Sequence, residues 1–304
     1  MQAIKIYKRL HIRLKLSPAD LLIIFVCIIA TQSGTGCAQR AIVLTPDDTA
    51  AFSSPPAGFN KKRENALWGK IDSIQYFSTT VGIKRKLLVY TPPGYSTNKK
   101  YAVLYLLHGI AGDEREWFEN SSPEIVLDNL FNEKKMEPMV VIFPNGRAMA
   151  DDRAGGNSFD RMKLLGFVNF EKDLLNDIIP FVEANYCVIK DRESRAIAGA
   201  SMGGGQALNI GLRNLDKFAW VGAFSPGGSW PAEALIPDPA ETARKLRLLY
   251  ISGGDKDFLL FVAQDFHAYL KEKNMKHIYQ VNPGEHSFSV WINDLYFFTQ
   301  RLFR

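Results

Sequence analysis

Cysteine is scarce in this chain: only Cys27, Cys37 and Cys187 occur in 304 residues. Cys27 and Cys37 fall in the leading 38 residues, which have the order of a signal peptide, so Cys187 stands alone in the remainder. No intramolecular disulfide framework is available, and stability must rest on a packed core. Long hydrophobic runs are missing too. The longest, "LLIIFVCIIA" at Leu21 to Ala30, is well short of the ~20 apolar residues that a membrane-spanning helix needs. Metal-ligand spacing is absent: Asp151, Asp152 and Asp160 cluster without any ligand period, and a charged loop accounts for them. The expectation is that no metal and no cofactor takes part. There is no internal repeat and no low-complexity tract.

An excess of charge of one sign is also lacking, once its source is located. Of the formal charge of +5, +4 belongs to the first 38 residues, which hold five Lys and Arg (Lys5, Lys8, Arg9, Arg13, Lys15) and one acid, Asp20. Beyond them 32 basic residues face 31 acidic ones. This excludes a basic footprint for nucleic acid or anionic membranes. The segment itself, basic residues followed by the apolar run and then by "TQSGTGCAQ", has the order of a secretory signal peptide, residues 1–38. Cleavage after Ala38, with small residues at Gly36 and Ala38, is one processing route. Lipidation of Cys37 is the other, with Gly34 smaller than the aliphatic residue such signals usually carry. The expected location is therefore exported: periplasmic, secreted or, through a lipid on Cys37, attached to a membrane surface.

Residues 39–66 are rich in proline and serine and show no sustained period, which reads as a lead-in or linker. The remainder, residues 67–304, reads as one domain. Apolar, β-branched runs of strand length recur at Arg85 to Pro92, Tyr101 to Gly109, Met139 to Gly146, Arg195 to Ser201, Trp220 to Pro226, Leu246 to Gly254 and His277 to Gly284. Helical periods lie between them. In "FVNFEKDLLNDIIPFVEANY" Phe167, Phe170, Leu174, Ile178 and Phe181 form one apolar face, and a second helix runs from Leu259 to Lys273. Continuous apolar strands alternating with amphipathic helices imply an α/β fold with a mostly parallel central sheet flanked by helices. Such sheets bind ligands at the carboxyl ends of their strands.

One of those ends carries Gly199-Ala200-Ser201-Met202-Gly203, a G-x-S-x-G motif directly after a strand and directly before a helical segment. Glycines permit a sharp turn and close backbone contact, so the serine hydroxyl can project as a nucleophile; a plain helix-capping serine is the simpler rival. A hydroxyl needs a base and the base needs an orienting acid. Of the histidines beyond residue 38, His108 ends a strand, His267 lies in a helix and His277 starts a strand, whereas His286 stands in the loop after the last strand, where the order serine, acid, histidine puts the base. The acid slot after the penultimate strand reads "GGDKD" and offers Asp255 and Asp257 equally. The oxyanion formed on attack needs two N–H donors. Met202, after the nucleophile, supplies one, and Ile110, in "HGIAGDEREW", the other.

The segments "VYTPPGY", "YAVLYLLHGIAGDEREW", "NFEKDLLNDIIPFVEANY", "DRESRAIAGASMGGGQALNIGL", "ISGGDKD" and "GEHSFSVW", in this order, resemble the feruloyl and acetylxylan esterases of the first carbohydrate-esterase family, and more distantly esterase D and the mycolyltransferases. The resemblance spans nearly all of residues 70–304. It implies a single α/β-hydrolase domain with Ser201 as nucleophile and His286 as base, and it prefers Asp257 to Asp255. Ala200 replaces the usual leucine, "SGGDKD" lacks a common cysteine, and "GEH" replaces a glycine-rich turn; none of these changes removes a reacting group. The activity implied is hydrolysis of feruloyl esters on arabinoxylan through an acyl-enzyme, without a cofactor. Its expected partner is a feruloylated or acetylated xylan-type polysaccharide, with no nucleic acid and no protein partner. Acetylxylan or short-acyl esterase activity and a catalytically silent carbohydrate-binding protein are the alternatives. Trp117, Trp230, Phe288 and Trp291 are the candidate aromatic contacts for substrate, and Asn145 to Gly166 is the candidate substrate-facing loop.

Overall fold

The computed structural model describes residues 42–304, so the expected signal peptide and the processing points at Ala38 and Cys37 lie outside the described residues. Strands β1 (Lys70–Ser78), β2 (Ile83–Thr91), β3 (Ala102–Leu107), β4 (Met139–Pro144), β5 (Arg195–Ala200), β6 (Trp220–Phe224), β7 (Leu248–Gly254) and β8 (Ile278–Asn282) form one sheet in the order β1-β2-β4-β3-β5-β6-β7-β8. β1 and β2 run antiparallel to their neighbours and the other pairings are parallel. β3, β4, β5 and β6 are buried at every residue, which is why they read as unbroken apolar runs.

Alternate residues of each strand face opposite layers. Val103, Tyr105 and Leu107 belong to one core, with Ile197, Val221 and Ile251; Leu104 and Leu106 belong to the other. Between the strands run α1 (Glu116–Asn120), α2 (Pro123–Asn132), α3 (Arg161–Asp173), α4 (Ile179–Asn185), α5 (Met202–Arg213), α6 (Ala232–Leu235), α7 (Pro239–Lys245), α8 (Leu260–Glu272) and, at the end, α9 (Phe288–Thr299). Side chains of α3 to α6 and α8 fill the first core, and those of α1, α2 and α9 fill the second. This three-layer arrangement is the α/β-hydrolase fold.

The structure departs from the sequence reading in several elements. The helix expected over "FVNFEKDLLNDIIPFVEANY" begins earlier, at Arg161, where the Asp160 carboxylate accepts the N–H of Met162 (2.9 Å) and of Lys163 (3.4 Å). It contains a π turn at Leu174–Ile178, from which Asp177 reaches the N–H groups of Thr79 and Thr80, each at 3.0 Å. β1 was not anticipated, because its half-exposed face interleaves polar residues with apolar ones. Nor was α9, whose nearly uniform apolar surface leaves little amphipathic period.

The lead-in is not loose. Its described residues, 42–66, hold no helix or strand, yet Val281 N–H donates to Thr49 O (3.1 Å), Phe52 N–H to Gln280 Oε1 (2.9 Å), and Asn129 Nδ2 to Phe59 O (2.7 Å). Phe59 packs edge-on against Tyr296 with centroids 5.2 Å apart. The segment thus covers the outer edge of β8, which would otherwise present unpaired backbone groups.

α5 lies so close to the 225–229 loop that a Cβ on Gly205 would stand 1.9 Å from Gly227 O. Alanine in a helix is ordinarily better than glycine by about 1 kcal/mol. Here the expected sign is reversed: Gly205→Ala should destabilise the fold by about 1–3 kcal/mol through overpacking, measured by urea denaturation, and a stabilised variant would refute this packing.

Candidate active site

Ser201 sits between β5 and α5 with φ 55° and ψ −119°, in a region of backbone space that L-residues seldom enter. Such a residue costs about 1–3 kcal/mol and persists only where its surroundings impose it. They do so here from three sides. Ser201 N–H donates to Phe224 O (2.9 Å), and Ser201 O accepts from Gly205 N–H (3.1 Å) and Gly227 N–H (2.9 Å). The flanking glycines are required by contact rather than by φ: a Cβ on Gly199 would lie 2.5 Å from Gly203 C, and one on Gly203 would lie 2.6 Å from His108 O. The serine side chain is thereby driven out at the carboxyl edge of the sheet.

His286, in the loop between β8 and α9, brings Nε2 within 2.8 Å of Ser201 Oγ. Its Nδ1 stands 3.0 Å from both carboxylate oxygens of Asp257, so Nδ1 carries the proton and Nε2 is free to accept one. Asp257 is fully buried and also accepts Leu259 N–H at 2.8 Å. Asp255 takes a different part: its Oδ1 accepts Gly284 N–H at 2.8 Å and ties the β7 loop to the histidine loop. Geometry therefore separates two acids that spacing left equal.

Ile110 packs beside Met202 in a small apolar cluster with Leu164 and Phe167. Among the described residues neither Met202 N–H nor Ile110 N–H has a protein acceptor. Two residues that sequence reasoning missed hold this loop. Glu116 Oε2 accepts Gly109 N–H at 2.6 Å, and the buried Arg147 donates to Ile110 O (3.1 Å), Gly112 O (2.9 Å), Asp152 O (3.1 Å) and Arg153 O (2.7 Å). Only "DERE" close after "HG" hinted at Glu116; nothing in the spacing pointed to Arg147. Asn145 to Ala148, the start of the candidate substrate loop, is consequently buried, and only its later part is exposed.

The four aromatic candidates divide. Trp117 is 1% exposed, donates Nε1–H to Leu107 O (3.0 Å) and meets Phe224 and Phe288 edge-on, so it is a core residue and offers substrate no face. Trp291 is likewise buried; its Nε1–H donates to Ser225 Oγ (3.0 Å) and its ring supports the His286 imidazole at 4.9 Å, seating the base rather than stacking on an acyl group. Phe288 and Trp230 are half-buried, and Trp230 is covered on one side by the Arg213 guanidinium at 5.1 Å. An exposed aromatic not anticipated, Phe258, lies 4.8 Å from the His286 ring and is 46% exposed.

Behind the acid lies a second, fully buried carboxyl, Asp294 of α9. Its Oδ1 accepts from Tyr250 Oη (3.0 Å) and Asn282 Nδ2 (2.7 Å). Burial, with the Asp257 charge adding to it, pushes its pKa up to about 7.

The Esterase family model matches residues 78–300. An endo-1,4-β-xylanase/feruloyl esterase of Xylanibacter ruminicola is 29% identical over 252 residues, covering 81% of this chain and 33% of the relative. Endo-1,4-β-xylanase Y of Acetivibrio thermocellus is 29% identical over 163 residues, 50% of this chain and 14% of the relative. The chain thus spans a third or less of the length of these two relatives. Among solved structures, a ferulic acid esterase of Anaeromyces mucronatus in complex with ferulic acid has a TM-score of 0.72 and 26% identity, covering 82% of this chain and 96% of that one.

Two measurements test the site. Asp257→Asn should lower kcat on the order of 10⁴-fold by stabilising the wrong histidine tautomer, whereas Asp255→Asn, which keeps an acceptor for Gly284 N–H, should stay within about tenfold; the reverse ranking would reassign the acid. For Asp294, an unfolded carboxyl titrates near 3.9, so between roughly pH 4 and 7 the fold holds a proton that the unfolded chain has released, and stability falls as pH rises. Asp294→Asn removes that loss. Its urea midpoint relative to wild type should rise from pH 5 to pH 8, and a constant difference would contradict the raised pKa.

Proposed function

From its place in the esterase family, to which the chain belongs as a carboxylic ester hydrolase, we propose that this protein is an exported enzyme that removes feruloyl groups from plant cell-wall arabinoxylan. The observation that carries the mechanism is the single line of contacts Asp257, His286 Nδ1, His286 Nε2, Ser201 Oγ.

In the reaction, His286 Nε2 takes the hydroxyl proton as Ser201 Oγ bonds to the ester carbonyl carbon. The carbonyl oxygen becomes an oxyanion and receives the N–H groups of Met202 and Ile110, an interaction whose removal typically costs ~10²–10³ in rate. Collapse breaks the bond to the sugar oxygen, which takes the proton from His286, and leaves the acyl group on Ser201. Water, deprotonated by the same Nε2, then attacks the acyl-enzyme; the bond from the acyl carbon to Ser201 Oγ breaks, Oγ takes the proton back from His286, and the acid leaves. Asp257 keeps the ring in one tautomer through both halves and balances the imidazolium.

The substrate class is supported by the feruloyl and ferulic acid esterases among the similar proteins, and by the exposed aromatic surface of Phe258 beside the base. Export is supported by the order of basic, apolar and small residues over 1–38.

Incubation with arabinoxylan bearing both esters should release ferulate, and Ser201→Ala should abolish the release while keeping the fold. Release of acetate alone would replace this reading with a short-acyl esterase. Absence of turnover on polysaccharide and on small esters alike would leave a binding protein.

A further inference from the structure

His108 follows the last residue of β3 and is 1% exposed, yet neither acylation nor deacylation makes use of it. Its two ring nitrogens have unlike partners. Nδ1 lies 2.7 Å from Gly109 O, which can only accept, so Nδ1 carries the proton. Nε2 lies 2.8 Å from Gly146 N, which can only donate, and a longer 3.4 Å from Asn145 Oδ1, which already accepts Arg147 N–H at 3.0 Å; the shorter contact makes Nε2 the nitrogen that holds its lone pair. The ring is thus fixed as one neutral tautomer. Burial agrees with this, holding its pKa down at about 4.

The carbonyl that receives this proton belongs to the same peptide unit as Ile110 N–H. In a planar trans peptide the C=O and N–H point in opposite directions. A bond that fixes Gly109 O therefore fixes the direction of Ile110 N–H, and by drawing electron density toward the carbonyl oxygen it makes the N–H a stronger donor. The neighbouring peptides have their own anchors: Gly109 N–H on Glu116, and Ile110 O on Arg147. Among the described residues the central unit is held by His108 and by a longer contact from Gly112 N–H at 3.4 Å. Opposite the oxyanion loop, Gly146 is held in place because Arg85 Nη2 donates to Asn145 O (2.9 Å) and Arg147 O (2.8 Å). The imidazole is wedged between a rigid loop and the peptide it aims.

We infer that His108 is a positioning residue of the oxyanion hole, which orients and polarises the Gly109–Ile110 peptide through Nδ1–H. This rests on the reading of Ile110 as an oxyanion donor. It differs from a merely structural histidine in what each nitrogen must do, and two amides separate the nitrogens. In His108→Asn the side-chain NH₂ stands near the Nδ1 position and can still donate to Gly109 O. In His108→Gln the amide oxygen reaches the Nε2 position and can accept Gly146 N–H, but the donor to Gly109 O is lost.

With a soluble aryl ester, H108N should keep kcat within about tenfold of wild type, and H108Q should lose about 10²-fold with KM nearly unchanged. A trifluoromethyl ketone, which forms a hemiketal oxyanion on Ser201, should weaken in parallel with kcat in H108Q, while binding of the free carboxylic acid product should not change. Equal losses in the two variants, or an unimpaired H108Q, would overturn the inference. A second readout needs no variant: nitrogen-15 NMR of the wild-type enzyme should show His108 protonated at Nδ1, with that proton moving downfield when the hemiketal forms. Protonation at Nε2, or an unmoved signal, would also overturn it. Turnover surviving in Ser201→Ala would instead bring down the underlying reading of the site.

Discussion

The left-handed backbone at Ser201 is the constraint on which the rest of the site depends. A residue at φ 55° and ψ −119° would relax if it could. It is kept there because β5 delivers it to the sheet edge, Phe224 O and Gly227 N–H grip its backbone, and α5 departs so close to β3 that no side chain larger than hydrogen fits at Gly199 or Gly203. The strain sets the hydroxyl above the strand ends, and the first N–H of α5, that of Met202, has no protein acceptor among the described residues. In the proposed reaction, nucleophile and oxyanion donor both come from this one distorted turn.

The other groups arrive on loops, and each loop is fixed by contacts that do not themselves react. His286 is seated between Trp291 and Phe258 and oriented by Asp257, whose loop is tied to it through Asp255 and Gly284. The oxyanion loop is held at Gly109 by Glu116, at Ile110 and Gly112 by Arg147, and through its middle peptide by His108. Preorganisation of this kind removes the reorganisation that water would have to undergo as the oxyanion forms. It also explains why a loop expected to face substrate is buried at its start: Asn145 to Ala148 is part of the scaffold that supports the donor.

How much of this was legible in the sequence depends on the physics of each part. The parallel strands were visible because burial on both faces leaves continuous apolar runs, as in "YAVLYLL", and the serine motif was visible because glycine contact and strand-to-helix context occur together in a short stretch. β1 was hidden by its polar face, and α9 by the opposite problem, a composition so apolar that little amphipathic period is left. Asp255 and Asp257 could not be parted by spacing, since both stand in one turn and only their partners differ. Trp117 and Trp291 looked like stacking surfaces because a sequence shows a ring but not what covers it. Glu116, His108 and Arg147 act chiefly on backbone N–H and C=O groups, and a side chain that bonds to backbone places no demand on the identity of its partner. Such clamps leave no pattern to read.

The central claim is that the strained Ser201 becomes the acyl carrier. Rapid acid quench of the enzyme during turnover of a hydroxycinnamoyl ester, with mass spectrometry of its peptides, tests it most directly. The account requires one hydroxycinnamoyl group on the peptide containing Ser201, appearing before free acid accumulates and absent from Ser201→Ala. Hydrolysis with no acylated peptide under single-turnover conditions, or the adduct on another residue, would contradict it.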